Sequence, residues 1–204
     1  MANVDGGRGR AASRADLGVL APSGRGEGRW QHRSVVLPAP ASTLVGRERE
    51  RAEVGELVAT TRLVTLTGSG GCGKTRLALE LALDVAARFE HGTWWVELSQ
   101  VGDRDGVIQA VADAAGVRED PGQALRDTLT ARLRAWHGLL VVDNCEHVVG
   151  ACATLVAELL GSCPHVSVLA TSWRSTGKHP GRCLHWRCLM RTRARLRKWQ
   201  RRMR

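Results

Sequence analysis

The chain has 204 residues, enough for one domain of ordinary size with some chain to spare. It contains no run of eighteen or more apolar residues and no apolar core behind its N-terminal arginines, which excludes a helical membrane span and a secretory signal and makes the cytoplasm the expected compartment. A net charge of +10 suggests a nucleic-acid partner, but residues 175–204 carry 11 of the 30 Lys and Arg and no acid, while residues 1–174 carry 19 basic and 20 acidic residues, so the basicity belongs to a tail.

Residues 1–40 are rich in Gly, Arg, Ala, Ser and Pro without sustained periodicity, the composition of a disordered segment. "PAPAST" closes it as a stiff linker, and "TLVGRERE" (43–50) reads as a turn followed by a charged helix start. "RLVTLTG" (62–68) is a short β-branched strand ending in Gly68, and Lys74 to Phe89 reads as a helix apolar on most faces, hence buried against a sheet. "TWWVELS" (93–99) is a second strand, and helices are expected over 106–116 and 122–136, the latter with Leu125, Leu129, Leu133 and Trp136 on one stripe. "LLVVD" (139–143) has the continuous apolar pattern of a strand covered on both faces. A helix over 147–160 and a strand "VSVLAT" (166–171) follow. Strands alternating with helices predict an α/β fold built of βαβ units around a mostly parallel sheet. After Thr171 no strand or helix period is recognisable. The six cysteines show no CxxC pair and read as reduced thiols.

Two stretches carry chemistry. "GSGGCGKT" (68–75) has the spacing of a phosphate-binding loop, between a strand and a helix as that motif requires. Its glycines, Gly68, Gly70, Gly71 and Gly73, permit the backbone turning that points the N–H groups of Ser69, Cys72 and their neighbours at phosphate oxygens beside a helix N-terminus. Lys74 would reach the β- and γ-phosphates, the Thr75 hydroxyl would bind Mg²⁺, and Arg76 completes the candidate cofactor-binding run. "LLVVDNCEH" ends an apolar strand in Asp143, at the sheet edge where open α/β folds bind ligands. Asp143 is the candidate for a Mg²⁺-linked water; its other reading is an acidic cap after a core strand. Glu146 reads equally as the group that polarises the attacking water and as a first-turn acid favoured by a helix dipole.

The motifs "LVGRERE", "RLVTLTGSGGCGKTRLALELA", "WWVELSQV", "LLVVDNCEHVV" and "VLATSWR" occur in an order and spacing that resemble the STAND class of P-loop NTPases. The likeness is nearest to the nucleotide-binding domain of actinobacterial LuxR-type and AfsR-like transcriptional regulators, related to the NB-ARC domain, and covers residues 41–173. The resemblance implies a three-layer P-loop fold over residues 41–174 that binds ATP or ADP with Mg²⁺, in preference to GTP, and hydrolyses ATP slowly if at all. It implies that Val45, Gly46 and Arg47 pack near the adenine. It implies self-association through the nucleotide-binding domain, and DNA contact through domains beyond it. It also implies a "TSR" whose arginine senses the γ-phosphate; Thr171 and Ser172 match, but Trp173 follows and Arg174 comes one position late. The family continues into a fifth strand, a winged helix, helical repeats and often a helix-turn-helix. None is recognisable here, so a truncated regulator is expected, with "LVTLT" left as an exposed sheet edge.

Three readings of residues 175–204 stay open. They form a basic arm that binds nucleic acid non-specifically, with Trp186 and Trp199 to stack on bases. Alternatively Cys183, His185 and Cys188 hold a metal, at a spacing outside the common zinc patterns. The third is translation out of frame, favoured by the sudden loss of acids and the rise of Arg, Trp and Cys.

Overall fold

A computed structural model describes residues 34–39, 46–173 and 184–188. Six strands form one sheet: β1 (Ser34–Val36), β2 (Leu63–Gly68), β3 (Gly92–Glu97), β4 (Gly138–Asp143), β5 (Val166–Trp173) and β6 (Leu184–Cys188). The helices are α1 (Glu48–Thr60), α2 (Lys74–Val85), α3 (Arg104–Ala114), α4 (Leu125–Leu133) and α5 (Val149–Ser162), with 3₁₀ turns at Ala86–Arg88 and Cys145–His147. The strand order is β1-β3-β4-β5-β2-β6, parallel throughout except for β6 against β2.

Side-chain alternation along the central strands explains the three layers. In β4, Leu139 and Val141 face a core shared with α1 and α2, where Val54, Val58, Leu77 and Leu81 pack. Leu140 and Val142 face the opposite core, shared with α3, α4 and α5, where Val107, Val111, Leu129, Leu133, Val156 and Leu159 pack. A strand covered on both faces has no polar side to show, which is why "LLVVD" reads as an unbroken apolar run. Leu129, Leu133 and Trp136 of the expected stripe are fully buried, and Leu125 packs at its margin. The Trp136 indole stacks on Trp94, with centroids 3.8 Å apart. Arg62, just ahead of β2, donates to the carbonyls of Leu160 (3.0 Å), Val166 (2.9 Å) and Cys163. Those hydrogen bonds tie the root of β2 to the turn between α5 and β5.

Two strands fall where no element was expected. Val35 and Val36 extend the sheet beside β3, with Ser34 opposite Gly92, inside the segment whose composition reads as disordered. On the other side, β6 runs antiparallel to β2, with Gly68 opposite Leu184 and Val64 opposite Cys188. This corrects the expectation that "LVTLT" is an exposed edge. The position beside β2, expected to lack its strand, is taken by an antiparallel one from the basic tail. Strand pairing uses backbone groups, which every residue but proline carries in full, so a segment without a side-chain period can still supply it. The helix expected over Lys74–Phe89 stops at Val85 and tightens into the 3₁₀ turn, and the one expected over 122–136 shortens to nine residues.

Candidate functional site

The loop between β2 and α2 turns through two left-handed glycines, Gly71 at φ 72° and Gly73 at φ 83°. Gly73 is the N-cap of α2, and its carbonyl accepts from the Leu77 N–H at 2.9 Å. Ser69 and Gly70 are exposed at the crest, and Cys72 is half-buried. Lys74 is 8% exposed although it opens the helix. Its ammonium donates to the carbonyls of Gly68 (3.2 Å) and Ser69 (3.0 Å), across the concave side of the loop. Arg47, at the N-cap of α1, donates from Nη2 to the Cys72 carbonyl at 2.9 Å. The segment Gly46–Arg47, separated from the loop by more than twenty residues, therefore sits against it. Val45 lies outside the described residues. Arg76 is engaged with Glu80 one turn along α2, at 3.0 Å.

Asp143 ends β4 and is completely buried. Its Oδ1 accepts from the Thr75 hydroxyl at 3.1 Å and from the Thr171 hydroxyl of β5. The Thr171 hydroxyl also accepts from the Asn144 N–H at 3.1 Å. Asp143 Oδ2 is buried without a hydrogen-bond partner. Burial pushes the Asp143 carboxyl above the usual carboxylate range; the hydroxyls of Thr171 and Thr75 oppose that push and the Glu97 carboxylate adds to it. A buried carboxylate oxygen with no partner is costly in a purely structural role. Beside a threonine hydroxyl, it presents a hard oxygen donor set that fits Mg²⁺, which takes few protein ligands and completes its shell with water and phosphate. Among the described residues no group of three or more His, Cys, Asp or Glu is placed to hold a metal by itself.

Glu146 is half-buried in the 3₁₀ turn after Asn144. Thr171 and Ser172 are buried at the end of β5, whereas Arg174 and the side chains of Cys183, His185 and Cys188 lie outside what is described. Sequence reasoning missed Asn144, the single non-glycine residue with positive φ among the described residues (57°), and Glu97. Glu97 ends β3 directly opposite Asp143 and accepts at Oε1 from Asn144 Nδ2 (2.9 Å) and the Ser99 N–H (3.0 Å). The signal for Glu97 was available: like Asp143, it is an acid at the carboxyl end of an apolar strand.

A mostly parallel sheet with helices on both faces, a glycine loop between a strand and a helix, and an acid at the end of a strand one removed from that loop's own define a P-loop NTPase-like fold. The chain belongs to the AAA domain family, whose model matches residues 58–170, more than half its length. It is 41% identical over 136 residues to an uncharacterized protein of Mycobacterium tuberculosis, covering 67% of this chain and 35% of that protein. It is 43% identical over 121 residues to a protein of the same organism named as an HTH-type transcriptional regulator, covering 59% of this chain and 14% of the relative. The regulatory protein AfsR of Streptomyces griseus is 28% identical over 152 residues, 67% of this chain and 15% of AfsR. The chain thus matches about a third or less of the length of these curated relatives. Among solved structures, Cdc6p from Pyrobaculum aerophilum superposes with a TM-score of 0.54 over 67% of this chain and 41% of that one, at 15% identity. That likeness is one of fold. No helix among the described residues is long and apolar enough to cross a membrane.

Proposed function

We propose that this chain carries the nucleotide-binding module of a STAND-type transcriptional regulator, binding ATP or ADP with Mg²⁺ and hydrolysing ATP slowly. One observation carries the reading: Thr75 and Asp143, 68 positions apart, meet at the mouth of a left-handed glycine loop and leave one buried carboxylate oxygen without a partner. In this reading the module spans residues 41–174. The N–H groups of Ser69–Gly73 and the Lys74 ammonium bind the phosphates, and the Thr75 hydroxyl and Asp143 hold Mg²⁺, which supplies charge neutralisation to the β- and γ-oxygens. Gly46 and Arg47 reach the base or ribose from the far side of the loop, and Arg76 stiffens the first turn of α2. A carboxylate at the same sheet edge, Glu146 or Glu97, polarises the attacking water. The relatives named as regulators support a role in gene control, with self-association through this domain. DNA contact falls to other parts of such proteins, or weakly to the basic tail.

The test uses the full 204-residue chain. Mg²⁺ with ADP at about 100 times its Kd stabilises the folded state by about 2.7 kcal/mol, a rise of roughly 5–10 °C in melting temperature for a chain of this size. Lys74→Ala abolishes that rise. Folded wild-type protein whose melting is indifferent to Mg²⁺ with ATP or ADP refutes the proposal.

A further inference from the structure

The carboxyl edge of the sheet carries a continuous hydrogen-bonded line through four elements. It runs from Thr75 on α2 to Asp143 on β4, to Thr171 on β5, to the Asn144 N–H, and from the Asn144 amide to Glu97 on β3. Glu97 is the exposed terminus of that line. An exposed glutamate usually samples many rotamers, because holding it still costs side-chain entropy. Here Oε1 takes two donors, the Asn144 amide and the Ser99 N–H. The residue that supplies one of them sits at φ 57°, the left-handed region that asparagine enters more readily than other non-glycine residues. Asn144 is fixed at both ends, by its N–H on Thr171 and by its amide on Glu97. Asn144 immobilises a solvent-facing carboxylate that stands opposite a candidate Mg²⁺ ligand at the edge of the sheet. It does what a general base requires: it gives one carboxylate a fixed position while leaving it open to water.

We propose that Glu97 is the carboxylate that takes the proton of the water attacking the γ-phosphate, and that Asn144 is its positioning residue. The inference rests on the nucleotide reading above and selects Glu97 over Glu146. The water oxygen bonds to the γ-phosphorus as the bond from that phosphorus to the β–γ bridging oxygen breaks. The electron pair of the broken bond leaves with ADP. The water proton passes to Glu97 and from there to bulk solvent, which Glu97 meets directly. ATP and water give ADP, inorganic phosphate and a proton, with no further reactant.

The experiment measures two quantities on the full chain: affinity for a fluorescent ATP analogue with Mg²⁺, and single-turnover release of labelled phosphate from ATP. Glu97→Gln keeps the affinity within about twofold and slows phosphate release about 100-fold or more, the range expected for loss of a general base. Asn144→Gly leaves the left-handed backbone accessible but removes the amide; it slows release about tenfold with affinity unchanged, a split that a merely structural role does not produce. Glu119→Gln, in the exposed loop between α3 and α4, stays at the wild-type rate. Release by Glu97→Gln within threefold of wild type overturns the assignment, as does a parallel loss of affinity and rate. Collapse of the rate in Glu146→Gln alone passes the role to Glu146. Wild-type protein that binds the analogue but releases no phosphate overturns the role of Glu97 and leaves the nucleotide reading standing. Wild-type protein that binds no analogue overturns both.

Discussion

Gly73 offers a test of the loop's shape that needs no ligand. It caps α2 at φ 83°, ψ 24°, and a Cβ built on it meets nothing within 4 Å. Gly73→Ala therefore carries no packing penalty, and its cost is the backbone term alone. Holding an L-residue in the left-handed region costs about 1–2 kcal/mol. For a chain of this length, that lowers the melting temperature by roughly 2–8 °C. Gly102 is the matched control, since an added Cβ there also meets nothing and its φ is not left-handed. Gly102→Ala should stay within about 0.5 kcal/mol of wild type. Gly73→Asn should fall between the two, because asparagine tolerates the left-handed region better than alanine. Urea denaturation followed by far-ultraviolet circular dichroism measures all three. Gly73→Ala within about 0.5 kcal/mol of wild type shows that the loop does not hold this conformation. A loss beyond about 4 kcal/mol shows that the Cβ meets a neighbour, and the reasoning fails in the other direction.

Two further outcomes follow from buried groups. The Asp143 carboxyl has a folded-state affinity for its proton above that of the unfolded chain, so its ionisation costs stability, and the cost is relieved as pH falls through the folded pKa toward the unfolded value of about 3.9. Without Mg²⁺, the stability of wild type relative to Asp143→Asn should thus improve from about pH 7 to about pH 4.5 in urea titrations; a difference that is flat or moves the opposite way refutes the burial argument. Gly138, at the start of β4, has a different reason to be glycine: a Cβ there lands on the buried indole of Trp136. Gly138→Ala should cost about 1–3 kcal/mol by overpacking and alter the near-ultraviolet dichroism of the Trp94–Trp136 stack; unchanged melting and an unchanged spectrum refute it.

Those elements whose sequence pattern answers to a local constraint were legible. The loop was readable because glycine, lysine and threonine must stand at set spacings around one strand-to-helix turn. β4 was readable because burial on both faces leaves a run of apolar residues ending in an acid. The N-terminus of α3 carries a comparable local cue that sequence reasoning passed over: Asp103 accepts from the Gly106 N–H at 2.8 Å, and the helix starts at Arg104 instead of the expected 106. What was not legible depended on neighbours far apart in the chain. Thr75 and Asp143 were assigned to one Mg²⁺ from their motifs, but the Thr171 hydroxyl on Asp143 follows from strand order, which no single segment encodes. Glu97 drew no reading because its place opposite Asp143 depends on β3 lying beside β4. β1 and β6 escaped notice because edge strands are recruited through backbone hydrogen bonds, and a three-residue or arginine-rich segment can make them without any side-chain signature.

The two carbonyls of Gly68 and Ser69 take two of the three N–H donors of the Lys74 ammonium and hold it over the loop with the third donor left for a further acceptor. The Arg47 hydrogen bond to Cys72 braces the same loop from outside, and Arg47 stands at the head of α1. Tension applied to that helix from outside the domain would pull on the Cys72 carbonyl and so on the shape of the loop. On the proposed nucleotide reading, α1 is thereby a handle on how long a nucleotide stays.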